Sequence, residues 1–177
     1  MHAHTRFTTW SILALVTSTG CVSFTPSIHP QDKPSSRDAY VYGRFRLVNT
    51  INTMYDTHGS MGLELECENN HKTYTIGFSM DEPIQVINIP GGDTCSWMRI
   101  TFTDSIGAWA GSNSLSSKEL RRAIRYESGK AYYLGDFEAS FGFADSKTLR
   151  WEITDVADNF QGTTQEMKSR FRNLSAI

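Results

Sequence analysis

From Ala39 onward apolar residues recur at every second position, and this period constrains the fold more than any other feature of the chain. "AYVYGRFRLV" sets Val41, Phe45 and Leu47 on one face and Tyr40, Tyr42, Arg44 and Arg46 on the other. "MGLELECE" opposes Met61, Leu63, Leu65 and Cys67 to Glu64, Glu66 and Glu68, and Asn69-Asn70 then supplies a turn tolerant of left-handed backbone. "TYTIGFSM" aligns Tyr74, Ile76, Phe78 and Met80, and "IQVINI" is a shorter run closed by Pro90-Gly91-Gly92. "CSWMRITF" puts Met98, Ile100 and Phe102 on one face, with Cys95 and Trp97 opposite. "KAYYLGDFEASFGFA" reads as one long strand bent at Gly135, and "TLRWEIT" turns Leu149, Trp151 and Ile153 inward. Period two is the signature of half-buried strands. The expected fold is therefore mainly β: an antiparallel β-sandwich of about seven or eight strands.

Two segments admit a helix. Ser116 with Glu119 fits a capping box, yet Leu120, Arg122, Ile124 and Tyr126 alternate, and the strand reading is preferred there. Near the C-terminus, Thr163 with Glu166 fits a capping box, and Met167, Phe171 and Leu174 share one helical stripe. A helix over 164–172 is expected, packed on the sandwich or over one of its edges.

The first 20 residues follow another logic. Arg6 and the α-amino group precede a compact apolar block of Trp10, Ile12, Leu13, Ala14, Leu15 and Val16, which exits through Thr17, Ser18, Thr19 and Gly20. A basic start, a short apolar run and a small-residue exit are the parts of a secretory signal peptide. A membrane-spanning helix needs roughly 20 mostly apolar residues, and this block is interrupted by Thr8, Thr9 and Ser11. "STGC", Ser18 to Cys21, resembles the lipobox of bacterial lipoproteins. The resemblance implies cleavage between Gly20 and Cys21, with a diacylglycerol thioether and an N-acyl chain on Cys21. Several acyl chains hold a protein at a bilayer where one is marginal. Val22 follows the cysteine where inner-membrane retention would call for Asp, so the resemblance points to the outer membrane. The alternative is ordinary signal-peptidase cleavage with Ser18 and Gly20 as the small residues, leaving a secreted protein with an unmodified Cys21. Residues 21–38, with three prolines between Pro26 and Pro34 and no apolar period, are expected to form an extended, mobile tether. The folded domain would then be 39–177.

The globular part carries a second resemblance. "YVYGRFRL", "IPGG", "YESGKAYYLGDFEASF" and "WEITD" are similar to segments of uncharacterised envelope lipoproteins with transthyretin-like sandwich domains. These motifs are structural and imply no catalytic residues.

Cysteine parity links the two halves. The chain has three cysteines; acylating Cys21 leaves Cys67 and Cys95 as a candidate disulfide in an oxidising compartment. Alternation makes Cys67 inward and Cys95 outward, so pairing requires a local twist or a bulge near Gly92 that reorients Cys95.

Candidate chemistry is sparse. The net charge is −2, or −3 once Arg6 is removed with the leader, and neither balance supplies the basic stripe of a nucleic-acid binder. "KELRRAIR" reads as a solvated face. His58 and His71 match no metal-ligand spacing, and neither a metal nor a cofactor is expected. "HGSMG" has His58 where a nucleophile elbow needs glycine, and Gly59-Ser60 reads as a turn before a strand at Met61. "ESGKAY" lacks the first P-loop glycine, making Lys130 a turn residue. Asp136 and Glu138 alternate outward, about 7 Å apart by strand geometry, a spacing a polysaccharide hydrolase can use; any solvent-facing strand also produces it. Tyr40, Tyr42, Trp97 and Tyr132 fall opposite the core faces, which makes them either an exposed aromatic contact patch for a glycan or envelope protein, or residues covered by the C-terminal helix. The reading that results is a lipid-anchored envelope protein acting as a binding or structural module rather than an enzyme.

Overall fold

The computed structural model describes residues 24–49, 57–79, 82–106, 109–115, 122–143 and 149–177 of the 177-residue chain. Ser18, Gly20 and Cys21 lie outside the described residues, as do Met80 and the stretch holding Ser116, Glu119 and Leu120. Nine strands are present among them: β1 (Asp38–Asn49), β2 (Thr57–Cys67), β3 (Thr73–Ser79), β4 (Ile84–Pro90), β5 (Asp93–Ile106), β6 (Trp109–Leu115), β7 (Ala123–Tyr126), β8 (Ala131–Phe143) and β9 (Leu149–Ala157). A helix, α1 (Phe160–Arg170), and a 3-10 turn, Arg172–Leu174, close the chain.

The strands form a β-sandwich. One sheet has the order β4-β1-β8-β9; the other has β3-β2-β5-β6, with β7 also on β5. The expected all-antiparallel pairing fails at one place, because β1 and β8 run parallel. Alternation reports which face a residue occupies and is blind to strand direction; β8 reaches β1 only after the chain has built the other sheet. The strand β6 has no clear alternating signature, and β2 begins at Thr57, so Gly59 and Ser60 lie inside a strand rather than in a turn before it.

The main core lies between the sheets. Val41, Phe45, Met61, Leu63, Leu65, Ile76, Phe78, Ile87 and Ile89 are buried there, as their alternation requires. A second core lies outside the first sheet, where Tyr40, Tyr42, Ile84 and Val86 pack against Met167, Phe171 and Leu174. This explains why β4 is buried on both faces. An 11-residue helix is marginal in water by itself. Burying large apolar side chains, each worth roughly 1.5–3 kcal/mol, holds it in place. The helix starts four residues before the expected position, after Asn159. Thr163 is consequently not its cap but a fully buried residue facing the sheet.

Three bulges interrupt the ladders; one, at Thr154 of β9, lies opposite Glu138 and Ala139, and the other two adjust the alternating pattern. In β5, Glu64 pairs with Arg99 but Leu65 pairs with Trp97, leaving Met98 as an extra residue. Parity reverses there, so Cys95 and Trp97 turn inward together with Ile100 and Phe102, and Met98 does not share their face. Cys67 and Cys95 then stand opposite each other and form a disulfide. The required bulge exists, but at Met98 rather than near Gly92. In β8, Gly135 takes φ 129°, where β1 pairing shifts between Tyr42/Tyr133 and Arg44/Asp136. The expected bend at Gly135 is this bulge, in a conformation that favours glycine.

Residues 24–37, which turn at 30–32 and again at 36–37, are not a free tether. The Thr25 N–H donates to the Thr75 carbonyl at 2.8 Å, and the Ile28 N–H donates to the Val86 carbonyl at 2.9 Å. Further along, the Gly91 N–H donates to the Arg37 carbonyl at 2.9 Å. An unpaired strand edge offers such partners wherever a neighbouring segment can reach it.

Candidate functional site

The Gly135 bulge sets up a charge-lined concavity on the outer face of the first sheet. Past Gly135, Asp136 and Glu138 point outward from β8, beside Arg44 and Arg46 on β1 and Asp155 on β9. Helix α1 covers only the tyrosine half of this sheet face. The other half stays open as a cleft of about 240 Å3 that ends at Ala157 and Asn159.

Asp136 is held from several sides. The Thr163 hydroxyl lies 2.7 and 2.8 Å from its two oxygens, the Tyr133 hydroxyl donates at 2.8 Å, and the Asn159 amide donates at 3.3 Å. The Tyr133 hydroxyl also accepts the Asn159 N–H at 3.2 Å. Burial first, and then donation to the Asp136 carboxylate, push the Tyr133 phenol up to about 12. A carboxylate fixed by hydroxyl and amide donors pins the start of α1 to β8.

Arg44, Arg46 and Glu138 are paired as well. Arg44 forms an ion pair with Glu166 of α1, and Arg46 approaches Glu138 at 4.0 Å with a largely exposed side chain. Arg44, Arg46, Glu138 and Asp155 together line the cleft with mixed charge. Asp136 and Glu138 do share the outward face, as alternation requires, but their surroundings differ: one is fixed under the helix and the other is half-open to solvent.

The four aromatic candidates do not come together. Tyr40 and Tyr42 are 3% and 2% exposed beneath α1 and the C-terminal turn. The Tyr42 hydroxyl pairs with Thr164 at 2.6 Å, and burial raises its pKa. Trp97 and Tyr132 face the other way and pack against the core between the sheets. The Met98 bulge turns Trp97 inward, while the Gly135 bulge means that parity read back from Asp136 misplaces Tyr132. Tyr132 meets Tyr126 edge-on at 4.8 Å, and burial pushes the Tyr126 phenol up to about 12.

The remaining candidates occupy ordinary positions. His71 is exposed in the β2–β3 turn with φ 51°, and Lys130 pairs with Glu127 at 2.5 Å in the β7–β8 turn. Glu64 meets Arg99 at 3.7 Å, while Glu66 and Glu68 are exposed. Among the described residues no group of three His, Cys, Asp or Glu is arranged to hold a metal ion. Sequence reasoning missed Thr163 as a partner of Asp136 because that contact joins β8 to a helix 27 residues away, and missed Tyr133, three residues from Asp136, because the Gly135 bulge is what puts the two on one face.

No family model, curated protein or solved structure matches the chain.

Proposed function

We propose that the protein is a lipid-anchored lipoprotein of a bacterial cell envelope, acylated at Cys21 and sorted to the outer membrane. Its sandwich serves there as a binding or structural module akin to the transthyretin-like domains of envelope lipoproteins. The observation that carries this reading is the "STGC" sequence placed where a short apolar run ends. Cysteine pairing supports it: with Cys67 joined to Cys95, Cys21 is the odd cysteine of three. A disulfide also belongs to an oxidising compartment such as the periplasm. The mixed-charge cleft beside α1 is the surface we assign to an envelope protein or glycan partner.

The test is intact mass of the mature protein isolated from membranes, beside Cys21→Ala. Expected is a wild-type mass greater than that of residues 21–177 by a diacylglyceryl group and an N-acyl chain, and a Cys21→Ala protein lacking both. A wild-type protein of unmodified mass in the soluble fraction would refute the anchor.

A further inference from the structure

The first described residues do something a tether has no reason to do. On the outer face of the second sheet, Gly62 of β2 pairs directly with Gly77 of β3, which leaves a patch with no side chains. The Phe24 ring lies on that patch. A Cβ at Gly77 would stand 2.6 Å from the ring, and one at Gly62 would stand 3.0 Å from it. Real Cβ atoms essentially never approach as closely as the first distance and seldom as closely as the second, so the two glycines make the seat.

The next residues carry the chain across the side of the sandwich. Thr25 extends the β3 edge through its backbone bond to Thr75, and its hydroxyl accepts the Thr75 N–H at 2.8 Å. The Ser27 hydroxyl donates to the Val86 carbonyl at 2.9 Å, and Ile28 bonds the same carbonyl. Since β3 ends one sheet and β4 ends the other, residues 25–28 strap the two edges together.

We infer that this strap seats the anchored protein with the outer face of β2 and β3 against its own bilayer. The inference rests on acylation of Cys21. A free leash from Cys21 to β1 would span up to roughly 60 Å and let the domain turn freely, whereas the three steps from Cys21 to Phe24 reach only about 11 Å. The acyl chains must therefore leave the protein within that distance of the Gly62–Gly77 patch. Phe24 itself remains 42% exposed, an apolar ring at the point of contact. Glu66 and Glu68 stand exposed on the same side, so the seat comes from the short leash and not from attraction to anionic headgroups. Helix α1 and the charged cleft, on the opposite side of the sandwich, then face the aqueous compartment.

Energy transfer measures this orientation. The full acylated protein is reconstituted in vesicles of phosphatidylethanolamine and phosphatidylglycerol that carry a headgroup acceptor. A donor dye is placed at Thr73→Cys on β3 or at Gln165→Cys on α1, both exposed. The acylated and disulfide-bonded cysteines do not react with it. Two sheets and a helix separate the sites by about 20 Å, so transfer from position 73 should exceed that from position 165 by roughly twofold or more. A Gly-Ser spacer inserted between Ser23 and Phe24 should reduce that difference. Equal transfer from both sites in protein shown by mass to be acylated would overturn the seat and leave the lipoprotein reading standing. Protein shown by mass to be unacylated would overturn both.

Discussion

Replacing Cys67 and Cys95 together by alanine removes the covalent link between β2 and β5, and its effect follows from the chain it closes. The cysteines are 28 residues apart in sequence. In the chain-entropy account, freeing a loop of that length in the unfolded state costs the native state about 3.6 kcal/mol. Both side chains are buried, at 1% and 0% exposure, and alanine leaves no unsatisfied polar group behind. The lost sulfur packing adds to the entropic cost. Against a domain stability of roughly 5–15 kcal/mol, the variant should lose between a quarter and most of its margin. Urea denaturation read by tryptophan fluorescence is the assay, and the slope should also rise because the uncrosslinked unfolded chain exposes more surface. An unchanged midpoint and slope, compared with the oxidised parent, would refute the pairing. Deleting Met98 tests the register: with the extra residue gone, Cys95 and Ile100 stand four positions apart and share a face in a regular ladder, so Cys95 still faces Cys67 and thiol titration of the deletion variant should find neither of them free. A deletion variant with Cys67 and Cys95 free would show that Met98 is not the extra residue of the bulge.

Thr163→Val preserves shape but removes the hydroxyl that bonds Asp136. A hydrogen bond to a charged group contributes about 1.5–3 kcal/mol, so the stability measured in urea should fall by that amount, while Gln165→Ala on the exposed side of α1 should leave it unchanged. Gly77→Ala should expel the Phe24 ring, so hydrogen exchange at the Thr25 and Ile28 amides should accelerate as much as in Phe24→Ala, and retained protection in both variants would argue against the strap. Tyr126 and Tyr133 are raised to about 12 in the fold from about 10 unfolded. The folded state then holds more protons than the unfolded state, so their contribution is complete below pH about 10 and is lost as pH rises toward about 12. Thermal melts should show that alkaline loss, and it should shrink in Tyr126→Phe.

The alternation from Val41 to Leu65 was sufficient by itself to place the core faces of β1 and β2, because in a strand a residue's face depends only on its position in a period of two. The C-terminal stripe of Met167, Phe171 and Leu174 was legible for the same local reason, although the start of α1 was not, since Thr163 mimics a cap while its hydroxyl serves Asp136. The odd cysteine and the apolar leader are likewise properties of the chain alone. Tertiary structure decided what local periods cannot encode. The Met98 bulge inverted parity and brought Cys95 to Cys67, and the Gly135 bulge separated Tyr132 from Asp136. The parallel pairing of β1 with β8 depends on a partner that lies some 90 residues away in the register Tyr40↔Ala131. Burial of Tyr40 and Tyr42 required a helix from the end of the chain, and docking of Phe24 required two glycines from different strands to stand side by side. Each of these results from long-range packing, whose energy belongs to pairs of segments and is written in neither one alone.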